Sequence, residues 1–207
     1  MNSTEGSEFV HFDEYEDVVA AIELVGSQSI DAQKRPSHWK WIIMAMQNAV
    51  QGAMVLSLSG TDGCGALAPK SQKRNRAWLH HLGPDRPPRV MASYDVLLER
   101  IMKSELMEGP VPDLSPEDHR NLQRLNELRR QFAHFNPTSW GIELNYILDI
   151  IPVALNLFEF LTTTQGRPNL NFTEEHRARM QQALCQARAA VEAFNEAAGA
   201  AVVGRRL

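Results

Sequence analysis

Cysteine is nearly missing from this chain: its 207 residues hold two, Cys64 and Cys185. Two distant cysteines make neither a disulfide framework nor a CxxC metal site, and the shortage fits a reducing compartment. Neither cysteine has a histidine or lysine beside it in sequence to mark a nucleophile. A basic excess is missing too. The net charge is −4 and the pI about 6.0, whereas a generic nucleic-acid coat protein would be strongly basic. Any contact with nucleic acid has to go through a local patch. The start Met1-Asn2-Ser3-Thr4-Glu5 lacks the basic opening and apolar core of a signal peptide. The sequons at Asn2 and Asn171 then read as chance matches, and the expected location is the cytoplasm.

Metal spacing is also lacking. His80, His81 and His119 come with no HExxH and no paired carboxylates, so neither a metal nor another cofactor is expected. The glycine-rich run Gly60-Thr61-Asp62-Gly63-Cys64-Gly65 is not a P-loop, because its spacing is wrong and it follows a helical pattern instead of a strand. It reads as a helix breaker. No segment alternates like a half-buried strand, and no internal repeat is present. Charge is absent from Trp41 to Thr61, a run long enough to span a bilayer. Gln47, Asn48 and Gln51 lie in its middle, and amides at that depth are costly without partners. The run is therefore expected to be a buried bundle helix, with no stable membrane insertion.

What is present is helical periodicity. Phe9, Phe12, Val19 and Ile22 mark an acidic helix over 8–24. A loop follows to Pro36, and Ser37 is the expected cap of a helix through Leu58, apolar on most sides. Gly52 within it implies a close crossing by a neighbour. A short helix is expected near 72–82, and another from Ser93 to about Leu106. Ser115-Pro116-Glu117-Asp118 is a helix start, with the stripe Leu122, Leu125, Leu128, Phe132 and Phe135 and an end near Phe135, because Pro137 follows. Asn136 or Ser139 is the expected cap of a helix to Thr163 containing Pro152. An alanine-rich helix spans 173–198. The expected fold is all-α: one domain over 1–207, an up-and-down bundle of five to six helices. Its core lies at about 37–163, with the first and last helices packed on it.

Two charge asymmetries stand out. Residues 1–17 carry six acids and no lysine or arginine, and residues 70–89 carry six cations against Asp85. Both read as solvated surface. The tryptophans at 39, 41, 78 and 140 read as core or interface anchors rather than platforms for bases. Glu174-Glu175-His176 reads as a first helical turn with an exposed histidine.

Chemistry concentrates at Arg129-Arg130-Gln131-Phe132-Ala133-His134. Arg129 lies close to the buried stripe. Arg130 and His134, four apart, share another side of the helix. An imidazole takes or gives a proton near neutral pH, and a guanidinium fork matches phosphate oxygens and their growing negative charge. The same residues also suit a structural role: a histidine at a helix C-terminus caps carbonyls, and Arg129 has Glu127 and Glu143 nearby in sequence.

The segment Leu128 to Phe135 resembles the signature of the HEPN superfamily, the higher-eukaryote and prokaryote nucleotide-binding domains. In that signature an arginine (Arg129 here), a polar residue (Arg130) and, after three more, a histidine (His134) stand late in a helix of an all-α bundle. The polar position is often Asn, Asp or His; here it is Arg130, which changes the local charge. The tryptophan-rich helix at 37–58 and the run Phe135 to Glu143 are also similar to segments of bacterial proteins with no assigned activity. The resemblance implies an HEPN-like bundle acting as a metal-independent endoribonuclease, often a toxin or defence nuclease, and commonly a homodimer whose two motifs face one cleft. Arg129 would stabilise the phosphorane, and His134 would act on the 2′-hydroxyl or the leaving oxygen. Arg130 and Asn136 are supporting candidates, and RNA cleavage would leave a 2′,3′-cyclic phosphate. The other expectation is a non-catalytic binding or scaffolding bundle in which the motif is a cap or an interface.

Overall fold

A computed structural model describes residues 12–81, 83–107, 109–134, 140–163 and 170–204, with side chains to Ala197. Among the described residues there are seven α-helices, one 3-10 turn at Ser104–Leu106 and no strand. The helices are α1 (Glu14–Ala32), α2 (His38–Ser59), α3 (Pro69–His81), α4 (Tyr94–Ile101), α5 (Pro116–Ala133), α6 (Leu144–Thr162) and α7 (Glu174–Gly204). The all-α expectation holds. Seven is close to the expected five to six; the short helices expected near 72–82 and from Ser93 both form, as α3 and α4.

Five long helices form the up-and-down bundle, and side-chain pairings give their directions. Gln28 meets His38, and Val18 faces Gly52, so α1 and α2 are antiparallel. Gln47 bonds Asn126 while Lys40 lies near Phe132, so α5 runs against α2. Asn121 donates to the Asp149 carbonyl, and Phe132 packs on Trp140, so α6 runs against α5. Arg188 pairs with Glu159, and Thr162 lies beside Met180, so α7 runs against α6. α1 and α7 are therefore parallel neighbours.

α2 is the central element, as its apolar circumference requires. Ile42, Ile43, Met46, Ala49, Val50 and Met54 are fully buried. A Cβ at Gly52 would come within 2.5 Å of Val18 Cγ2, which is the close crossing expected there. α1 departs from the sequence reading. It starts at Glu14, capped by Asp13, whose carboxylate accepts from the Tyr15 and Glu16 amides at 2.9 and 2.8 Å. It then runs on past Leu24, the expected end, through Gly26, Ser27 and Ser29 to Ala32. Residues 8–11 lie outside the described part. Gly26 and the serines have poor helix propensity, but Gly26 sits against the Ala183 backbone of α7, so packing overrides propensity.

Other ends differ by small amounts. Ser37 makes no side-chain cap bond. Ser115 forms a full capping box with Asp118. α6 begins at Leu144 behind Glu143, later than expected, and the expected caps Asn136 and Ser139 lie outside the described residues. α2 and α6 are both long and apolar enough to cross a membrane, and their most apolar windows are 61% and 50% buried within the bundle.

Candidate functional site

α5 ends where the chemistry concentrates. Leu122, Leu125 and Leu128 are buried, and Phe132 is half-buried. Arg129 falls three residues after Asn126 and seven after Leu122, and so shares their side of the helix. That side faces α2, since Gln47 Nε2 donates to Asn126 Oδ1 at 3.5 Å and to Gln51 Oε1 at 2.7 Å. Gln47 and Arg129 thus lie along a polar seam in an otherwise apolar contact. The Gln47 Oε1 and Arg129 Nε atoms are both sealed from solvent without a hydrogen-bond partner. Among the described residues no acid forms an ion pair with Arg129. Glu127 pairs with Arg130 instead, at 3.5 Å between exposed side chains, and Glu143 is exposed at the start of α6.

His134 is the residue at which the helix breaks. Its amide still donates to the Arg130 carbonyl at 3.0 Å, but its backbone is extended, with φ −94° and ψ 94°. The helix therefore stops at Ala133, two residues short of the expected end. The shared helical face expected for Arg130 and His134 stops one residue early, and a backbone bond links the two residues instead. The His134 side chain is exposed and makes no hydrogen bond to any described residue. Among the described residues it caps no carbonyl. Asn136 lies outside the described residues.

A feature that sequence reasoning missed lies beside this helix end. A cleft of about 540 Å³ opens between the α1–α2 turn and the facing ends of α2, α5, α6 and α7, with Trp39, Lys40, Phe132, Trp140 and Phe194 in its walls. Phe132 and Trp140 rings lie 4.9 Å apart, and the Lys40 ammonium is 5.1 Å from the Trp41 ring and 6.0 Å from Phe132. Lys40 has no ion pair among the described residues. Five separate segments build this cleft, so no single stripe announces it. The partial signal was Trp140, read from sequence as a core or interface anchor. Of the tryptophans, Trp39 is core, whereas Trp41 and Trp140 are exposed.

The other described histidines do not gather at one place. His80 and His81 are exposed at the end of α3, and His119 is half-buried in the first turn of α5. Among the described residues no group of three or more His, Cys, Asp or Glu side chains could hold a metal. His176 departs from the expected exposure: it is 17% exposed, its Nε2 is 3.4 Å from Glu16, and its ring meets Phe172 edge-on. Comparison with protein-family models, curated proteins and solved structures finds no match.

Proposed function

We propose that the protein is a metal-independent endoribonuclease of the HEPN kind, a cytoplasmic homodimer that works through Arg129 and His134. The observation that supports this reading is the freedom of both side chains. Arg129 is anchored on a packed helix yet paired with no described acid, and His134 is exposed where that helix breaks. A guanidinium held without a counter-charge is available to an anion, and Arg binds phosphate through a planar fork. In the reaction the 2′-hydroxyl oxygen attacks phosphorus, giving its proton to a base, and the 5′-oxygen leaves with a proton from an acid. His134 serves in one of these two transfers, and Arg129 stabilises the charge gathered on the phosphorane. Arg130 positions the strand. The products are a 2′,3′-cyclic phosphate and a 5′-hydroxyl.

A site using Arg129 and His134 needs either a bend at the helix end or a second copy of the chain. Five residues turn the helix by about 500°, which leaves Arg129 and position 134 about 140° apart. The extended backbone at His134 supplies such a bend, so the homodimer rests on the family resemblance, in which the motifs of two copies face one cleft. The test is incubation of the purified protein with RNA in EDTA. Wild type should cleave, His134→Ala and Arg129→Ala should lose at least about a hundredfold in rate, and the product should carry the cyclic phosphate. Equal cleavage by wild type and His134→Ala would end the proposal.

The cleft supports a second reading, a non-catalytic binding bundle, because aromatic walls with a few polar groups are what small-molecule sites are made of. On that reading His134→Ala alters melting or dimerisation, and no RNA turnover exists to lose.

A further inference from the structure

Between Gly60 and Ala92 the chain leaves the bundle as an arm built around α3. Its inner side is held by the returning segment. Ser71 Oγ donates to the Pro88 carbonyl at 3.0 Å and accepts from the Val90 amide at 3.0 Å. Asn75 is fully buried beneath it, and Trp78 Nε1 donates to the Gly83 carbonyl at 2.8 Å. With Ser71, Asn75 and Trp78 turned inward, the outer side is left to Lys70, Lys73, Arg74, Arg76, Ala77, His80 and His81, all exposed. At about 100° per residue these seven positions fill an arc of about 160°. It contains no acid, in a chain whose net charge is −4.

Most of this charge is unspent within the protein. Arg76 pairs with Asp62 at 2.7 Å, but Lys70, Lys73 and Arg74 make no ion pair among the described residues. Nor do they serve the helix. The first turn of α3 has no acid, and Lys70 there opposes the helix dipole. A cation placed against local stability, with no internal partner, points to an external anion. The kind of anion follows from what the face lacks. An interfacial membrane helix lays an apolar side into the lipid, but the large apolar residues of α3, Trp78 and Leu79, are half-buried, and its outer arc offers only Ala77. A face of cations alone fits a phosphate backbone, where neutralised charge drives binding.

We propose that the outer face of α3, centred on Lys70, Lys73 and Arg74, is the surface on which this protein holds the sugar-phosphate backbone of RNA. The choice of RNA rests on the nuclease reading above, but holding the strand requires no cleavage. The experiment uses the full chain carrying His134→Ala, so that the probe survives, and a labelled single-stranded RNA of about 20 nucleotides. Anisotropy is read over a salt series. The triple variant Lys70→Gln, Lys73→Gln, Arg74→Gln should bind at least tenfold more weakly. Its slope of log affinity against log salt should flatten by about 2, at about 0.7 per lost contact. The control triple Lys103→Gln, Arg120→Gln, Arg124→Gln, on other elements and away from the cleft, should bind as the parent does. Circular dichroism checks that each variant is folded.

Equal weakening by both triples, or no weakening by the α3 triple, overturns the proposal. So does binding to phosphatidylserine vesicles through the α3 cations without binding to RNA, an outcome that the exposed Val90 and Met91 at the base of the arm make worth measuring. If the α3 triple loses RNA while wild type, without the His134→Ala change, cleaves none, the docking surface stands and the nuclease reading fails. If wild type cleaves RNA and the α3 triple binds it unchanged, the nuclease reading stands and the docking surface fails.

Discussion

Arg179 shows how far a single side chain departs from what its neighbours in sequence suggest. The acids of residues 1–17 read as solvated surface, yet Glu16 and Glu23 together enclose the Arg179 guanidinium with four hydrogen bonds of 2.6 to 2.9 Å. Nothing local could reveal this, since the partners lie more than 150 positions apart. The hydrogen bonds from Arg179 hold the Glu16 carboxyl below its ordinary 4.5, and the two carboxylates raise Arg179 further. A depressed carboxyl stabilises the fold while it is ionised. That contribution is complete above pH 4.5 and drains as the pH falls through the lowered value. Arg179→Met should therefore cost about 1 kcal/mol near pH 7, the carboxylates being over a third exposed and screened. Wild-type and variant melting temperatures, followed by circular dichroism, should converge as the solution is acidified. The candidate site was more legible than this pair, because Arg129, Arg130 and His134 stand within six positions. That Arg129 and His134 pair with no described acid, while Arg130 takes Glu127, was not legible, because it depends on where Glu127 and Glu143 point.

Among the elements, helix starts were readable where the cap is chemical and unreadable where packing decides. Ser115→Ala removes a hydroxyl that accepts from the Asp118 amide at 3.1 Å, and should cost about 1 kcal/mol. Ser37→Ala removes no cap bond and should be nearly neutral in the same thermal melts. The extension of α1 to Ala32 was hidden for the opposite reason: weak helix formers there are held by α2 and α7. The α1–α2 crossing offers a sharper measurement. Gly52→Ala forces a methyl against Val18, which is 2% exposed and has little room to move. Overpacking costs about 1–3 kcal/mol, against about 1 gained in helix propensity. In a Val18→Ala background the methyl has space, so Gly52→Ala should become neutral or stabilising there. A constant effect in both backgrounds would remove the crossing as its cause.

At the scale of the molecule, the bundle class came from periodicity alone, because each long helix keeps one apolar side. Which helices touch did not, and the cleft at the end of α5 depends on that. The proposed homodimer is tested at this scale too. Sedimentation equilibrium should give twice the 23.3 kDa chain mass.

The base of the arm carries one more consequence. Ala92 donates to the Ala66 carbonyl at 3.0 Å, and Ala68 donates to that of Val90 at 2.8 Å. Arg100 fastens the ingoing segment through the Gly65 and Leu67 carbonyls, both at 2.7 Å. The two ends of the intervening 69–89 stretch thus stand side by side on a platform that α4 supports. In modular terms the stretch is a removable cassette. A two-residue Asn-Gly hairpin turn could close the gap, and the shortened protein should melt as a single cooperative bundle. The same junction would accept a foreign insert, so the 69–89 stretch is separable, by simple surgery, from the scaffold that carries it.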